Sequence, residues 1–180
     1  MRALLIVAVL LGPVSMAAAQ ASTESTPMER SVQQLRNTVG RWAVTTEFLK
    51  EDGSVARAVT GTYEFAWVVP DRVVSGKSEI PELKQTSGIL FFVNETAQVI
   101  EMVAVGADGR LWEMIGPLGG EVRTTPEFKA ADGGTGQLRF TRYNVTTDAF
   151  ESKMEYSEDG GATWKPGNHQ QFRRESVPAE

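Results

Sequence analysis

Residues 87–115 read SGILFFVNETAQVIEMVAVGADGRLWEMI, and this stretch decides the fold. Three apolar runs, Ser87 to Val93, Gln98 to Val105 and Arg110 to Ile115, are separated by Asn94 with its polar neighbours and by Asp108-Gly109. Runs of this length between Asn and Gly turn signals are strands of β-hairpins. A four-residue turn at Asn94 to Ala97 and a two-residue turn at Asp108-Gly109 set Phe91 opposite Ile100 and Val105 opposite Trp112. One face then carries Ile89, Phe91, Val93, Ile100, Met102, Ala104, Leu111, Glu113 and Ile115. The other carries Leu90, Phe92, Val99, Glu101, Val103, Val105, Arg110, Trp112 and Met114. Both faces are mainly apolar, whereas a sheet with one face in water alternates cleanly. Something must cover the outer face: an N-terminal helix is the simplest cover, and a second copy of the chain is the other.

Each face also holds one carboxylate, Glu101 or Glu113. An unpaired buried carboxylate is costly, so each is expected to be paired, protonated or at a wet rim. Arg123, Arg139 and Arg142 are the candidate partners. The functional alternative is a polar anchor inside a ligand cavity.

Working outward, the period of two continues in both directions. Further β-rich segments are Gly40 to Lys50, Val55 to Val69, Arg72 to Ile80, Glu121 to Thr125, Gln137 to Val145, Ala149 to Ser157 and Trp164 to Arg173. Between them stand turn signals such as Asp52-Gly53, Pro70-Asp71, Gly119-Gly120, Asp132-Gly133-Gly134 and Asp159-Gly160-Gly161. The expected fold is all-β: an antiparallel up-and-down barrel of about ten strands, closed on itself so that no edge is left unpaired. One short helix precedes it. Thr26 is a good N-cap, Pro27 fits the first helical position, Glu29 completes a capping box, and Met28, Val32, Leu35 and Val39 form one apolar stripe that Gly40 ends.

The first residues read as a secretory signal: Arg2, the apolar run Ala3 to Leu11, a break at Gly12-Pro13, and small residues Ala17-Ala18-Ala19. The expected organisation is a signal peptide at 1–19, a polar stretch at 20–27, one barrel domain at 28–175 and a tail at 176–180, with no membrane span in the mature chain. The 180 residues are 41% hydrophobic and 23% charged, with no Cys, one His and a formal net charge of −5, which is one ordinary globular domain. That inventory removes disulfides, thiolate metal sites, cysteine nucleophiles and multi-His centres, and the acidic balance argues against a nucleic-acid partner.

Gly40-Arg41-Trp42, just after a short helix, resembles the opening of the lipocalin and calycin barrels. There the Trp closes the barrel floor and a late Arg packs across its ring, which points to Arg173 or Arg174 here. The stretch from about Met28 to Arg174 resembles a group of secreted bacterial proteins of unknown function, sharing this opening, the Ile100-to-Trp112 strand pair and the Asp159-to-Trp164 finish. The resemblance implies a lipocalin-like barrel and no established activity. Haem-binding barrels of the nitrobindin kind carry a second Gly after the Trp, which this chain lacks, and a late axial His. His169 is the one candidate for such a ligand, and no cofactor is expected. The run Ser157 to Trp164 also fits an Asp-box turn, with Asp159, Gly161, Thr163 and Trp164 as a rigid hairpin.

No nucleophile elbow, P-loop or dinucleotide fingerprint is present. The leading expectation is a secreted or periplasmic protein that binds a small apolar molecule in a barrel cavity. Candidate wall residues are Trp42, Phe65, Trp67, Phe91, Met102, Trp112 and Phe140, with Glu113 or Arg142 as polar anchors; core packing is the rival role for each. The alternatives are a protein-interaction or assembly module with a filled barrel, either monomer or homodimer, and a cofactor-free isomerase or hydrolase.

Overall fold

The computed structural model describes residues 24–130 and 133–176, so the signal segment 1–19 and residues 177–180 of the tail lie outside the described residues. Helix α1 (Pro27–Thr38) begins with the capping box that its sequence announces: Thr26 accepts from the Glu29 amide, and the Glu29 carboxylate accepts from the Thr26 amide at 2.7 Å. Eleven strands follow: β1 (Gly40–Leu49), β2 (Val55–Val69), β3 (Val73–Ile80), β4 (Gln85–Asn94), β5 (Val99–Gly106) and β6 (Leu111–Pro117), then β7 (Val122–Thr124), β8 (Phe128–Lys129), β9 (Thr135–Tyr143), β10 (Ala149–Ser157) and β11 (Lys165–Arg174).

Each strand pairs antiparallel with its neighbour, β7 passes directly to β9, and β11 returns to β1, so ten strands form a closed ring with β8 attached to β9. This is the closed up-and-down barrel expected from the turn spacing, and closure satisfies every edge of the ring. The inward positions are Trp42 and Val44 on β1, Phe65 on β2, Val74 on β3, Phe91 and Val93 on β4 and Ile100 on β5, closed by Phe150 and Phe172, whose rings stack 4.1 Å apart.

Helix α1 lies across one end of the ring. It shares that end with the β2–β3, β6–β7 and β9–β10 turns: Arg36 pairs with Asp71, the Gly119 amide donates to Ser31 Oγ, and Gln34 Nε2 donates to the Gly120 carbonyl. Its buried Leu35 sits in the same cluster as Trp42. The helix therefore closes one end of the core as a plug, as its single apolar stripe suggests, and it does not cover the outer wall, where it was the simplest expected cover. Leu90, Val105 and Leu111 remain 43%, 40% and 61% exposed on that wall.

The β4–β5–β6 registers differ from the sequence reading in an instructive way. The four-residue loop runs over Glu95 to Gln98, one position later than expected, so Phe91 faces Met102 and Val93 faces Ile100. That shift of two preserves the faces. The next loop holds three residues, Ala107, Asp108 and Gly109, with Gly109 left-handed at φ 75° after a turn closed by its amide to the Gly106 carbonyl. Trp112 then faces Ala104, a shift of one, and every β6 side chain changes side. Trp112 and Met114 point inward, while Leu111, Glu113 and Ile115 point outward. Glu101 and Glu113 thus share the outer face, where Glu101 accepts from Asn94 Nδ2 at 2.9 Å. The three arginines expected as their partners are occupied elsewhere: Arg139 by Glu155, Arg142 by Glu121 and Arg123 by Gln34.

Candidate functional site

The barrel is not filled. Between the plug and the opposite end lies a cavity of about 420 Å³, within the usual range for small-molecule sites. Its aromatic wall is Tyr63, Phe65, Phe91, Phe140, Phe150 and Phe172, with Trp112 on the strand that enters from the far turns. Ile89, Met102, Met114, Leu138 and Met154 supply flexible or branched apolar surface. Among the described residues its lining contains no carboxylate and no histidine.

Polar groups lie at three levels. Towards the far turns are Gln85, Ser87 and Asn168; lower, Gln170 Nε2 donates to Thr46 Oγ1 at 3.0 Å and to the Tyr63 hydroxyl at 3.3 Å. Burial holds the Tyr63 phenol above its ordinary range, so it is a neutral hydroxyl at all relevant pH. At the floor stand Arg123 and Arg142, 1% and 4% exposed. Arg142 is fully engaged: Nε and Nη2 donate to the two Glu121 oxygens at 2.9 and 3.1 Å, and Nη1 reaches the Gln34 carbonyl and Thr38 Oγ1. Arg123 donates from Nη2 to Gln34 Oε1 at 2.7 Å, lies over the Phe91 ring at 4.6 Å, and its Nε has no hydrogen-bond partner among the described residues. Burial, reinforced by the Arg142 charge and opposed by Glu121, lowers its pKa to about 10, which leaves it a cation at neutral pH.

Of the residues singled out from sequence, Phe65, Phe91, Met102, Trp112, Phe140 and Arg142 line this cavity. Glu113 does not, because of the three-residue β5–β6 loop. Trp67 sits beside a register shift at the end of β2 and packs against the buried cluster. Trp42 is also below the cavity, wholly buried, its Nε1 donating to the Thr38 carbonyl at 2.8 Å. Arg174, not the exposed Arg173, lies 4.2 Å over the Trp42 ring. A side chain at Gly40 would collide with that guanidinium, and its φ of 128° is open only to glycine at no cost.

His169 points out of the wall on β11, its Nδ1 and Nε2 held by Glu47 at 3.0 Å and Glu151 at 2.8 Å. With both nitrogens engaged outside the barrel, it is no ligand for a group in the cavity. The Asp-box turn stands at the end opposite α1 and is internally bonded: Asp159 accepts from Ser157 Oγ, the Thr163 amide and Thr163 Oγ1, while Arg139 lies 4.2 Å over Trp164.

The sequence reading did not single out Tyr63, Phe150 and Phe172 on the aromatic wall, nor Arg123 and Gln170 as polar cavity groups. Arg123 was legible only as a partner for a glutamate. Its inward position follows once β7 pairs through Ile115 and Thr124, because Arg123 then faces the space left by Gly116, where a Cβ would stand 3.0 Å from Arg123 Cγ.

A ten-strand antiparallel barrel, plugged at one end by a helix and holding a mostly apolar cavity with arginines at its floor, defines the class. No protein-family model matches the chain, and no curated protein matches it in sequence. Among solved structures, the M. tuberculosis protein Rv2717c superposes with a TM-score of 0.52 at 15% identity over 81% of this chain and 98% of its own. A protein of unknown function from the DUF3598 family of Nostoc punctiforme gives 0.50 at 10% identity over 79% of this chain and 49% of its own. The chain thus spans about half the length of the Nostoc protein. These likenesses show the shared fold.

Proposed function

We propose that the chain is a secreted or periplasmic carrier, released by cleavage after Ala19, that holds a small, mostly apolar molecule in its barrel. One observation carries the reading: the interior is an aromatic-lined cavity of about 420 Å³ rather than a packed core. Protein interiors are close-packed, so a void of this size inside the barrel calls for an occupant. Support for secretion comes from the residue pattern of positions 1–19.

A second reading, association through the wall, is favoured by exposed Leu90, Val105 and Leu111 on the outer face of β4 to β6. It coexists with the first, since the two use opposite faces of the same strands. Expression with the native leader, followed by native and denaturing mass spectrometry, tests both. The expected result is a chain starting at Gln20 that carries a mass lost on denaturation, with one copy or two read from the same spectrum. A processed chain free of extra mass, and indifferent to added apolar molecules, refutes the carrier reading.

A further inference from the structure

We propose that the ligand is a single-tailed carboxylate, its head group held by Arg123 at the barrel floor and its tail lying along Phe91, Met102 and Trp112 towards the far turns. This rests on the cavity being a ligand site, and goes beyond it by naming the head group and its orientation.

The case begins with charge. Two guanidinium groups are buried at the floor, and the one carboxylate that reaches them, Glu121, is taken in a two-pronged pair by Arg142. Arg123 is left with a neutral partner, the Gln34 side-chain oxygen, and an Nε–H that finds no acceptor although the side chain is 1% exposed. A buried cation is retained where it is paired, and an anionic ligand supplies the missing partner. The lowered pKa of Arg123 is what such an uncompensated position produces.

The position is also built. Gln34 cannot swing away, because its Nε2 is committed to the Gly120 carbonyl at 3.0 Å, so its Oε1 fixes one edge of the guanidinium. Phe91 supports the guanidinium plane at 4.6 Å, and Gly116 clears the path of its stem. A planar fork held this way presents its remaining donors to a carboxylate more readily than to a hydroxyl. The single unmatched charge selects a monoanion. The cavity volume of about 420 Å³ equals roughly 14 water volumes at about 30 Å³ each, close to the heavy-atom count of dodecanoate.

The test is calorimetric titration of the full mature protein with dodecanoate, dodecan-1-ol and dodecyltrimethylammonium, all below micelle formation. Dodecanoate is expected to bind at least about 10-fold tighter than the alcohol, equivalent to about 1.4 kcal/mol, with the cation weakest. In Arg123→Met the acid's advantage is expected to vanish while the alcohol still binds; Arg123→Gln serves if the Met variant does not fold. Equal binding of acid and alcohol to the wild type overturns the carboxylate assignment and leaves the carrier reading intact. An acid preference that survives both substitutions overturns the placement on Arg123. Failure of all three probes overturns this inference together with the carrier reading.

Discussion

Replacing Arg174 by Ala should loosen the barrel floor, and its cost can be worked from the contacts. The guanidinium lies 4.2 Å over the buried Trp42 ring, a cation–π contact worth about 0.5 to 1 kcal/mol at a partly exposed site. Its Nη1 donates to the Val39 carbonyl at 2.7 Å, Nη2 to the Asn37 carbonyl at 3.3 Å and Nε to the Thr147 carbonyl at 2.9 Å. Bonds from a charged donor contribute about 1.5 to 3 kcal/mol each, but water can replace the more exposed ones, so one such bond's worth is a fair net sum. The ion pair to Asp148 is long and exposed and adds little. The total is about 2 to 4 kcal/mol, or a fall in Tm of roughly 4 to 16 °C for a chain of this size. Urea unfolding of Arg174→Ala, Trp42→Phe and the double variant should give this loss and a coupling between the two sites. Lys at 174 should recover less than half, because one ammonium cannot span three carbonyls and the ring. A loss below about 0.5 kcal/mol, or strict additivity in the cycle, would refute the view that this arginine pins helix, floor and β9–β10 turn together.

Two further outcomes follow from ionisation. Burial alone would lower the His169 pKa, but the hydrogen bonds it donates to Glu47 and Glu151 more than offset it, so the folded value is raised. The stability this contributes is fully present below the unfolded value near 6.5 and is lost as pH rises through the folded one. Urea midpoints of wild type should therefore fall relative to His169→Gln as pH rises above about 6.5, and parallel profiles would contradict it. Asp159 runs the other way: bonds from Thr163 and Ser157 hold its pKa at about 2, so the turn's stability is present above the unfolded value near 3.8 and is lost as acid approaches 2. Asp159→Asn should therefore lose stability at neutral pH and converge on wild type near pH 2. An acid profile still displaced from wild type at pH 2 would show that the carboxylate acts through something other than its charge.

How much of this was written in the sequence depends on which residues carried local signals. The strands were legible because alternation and Gly or Asn turns mark each boundary, and α1 because Thr26, Pro27 and Glu29 announce its start. Loop length was less legible: Asp108-Gly109 reads equally as a two-residue turn or as the end of a three-residue one, since both place a left-handed glycine second, and here the turn begins at Gly106. That single residue moved Glu113 out of the site and brought Trp112 into it. The helix's destination was only partly legible, since an apolar stripe says that a face is buried and not against what. Phe65, Phe91 and Phe140 were found on the wall, while Tyr63, Phe150 and Phe172 were not singled out and Trp42 and Trp67 lie outside the lining; Arg123 was missed because a lone Arg in a three-residue strand has no pattern of its own.

The plug and the site prove to be one device. Helix α1 points its C-terminal turn into the barrel end, and the last carbonyls of a helix carry partial negative charge. Buried Arg142 reaches the Gln34 carbonyl one turn before the helix end, and partly exposed Arg174 takes the Asn37 and Val39 carbonyls, so two cations meet the C-terminal turn of the helix. Arg123 alone, facing the cavity, reaches only the amide of Gln34. A helix entering the other way round would set amide donors against the guanidinium groups of Arg142 and Arg174 and repel them. The orientation of the plug therefore stabilises Arg142 and Arg174 as structure, while Arg123, which lines the cavity floor, keeps an Nε unpaired among the described residues beside the Phe91 and Phe140 rings.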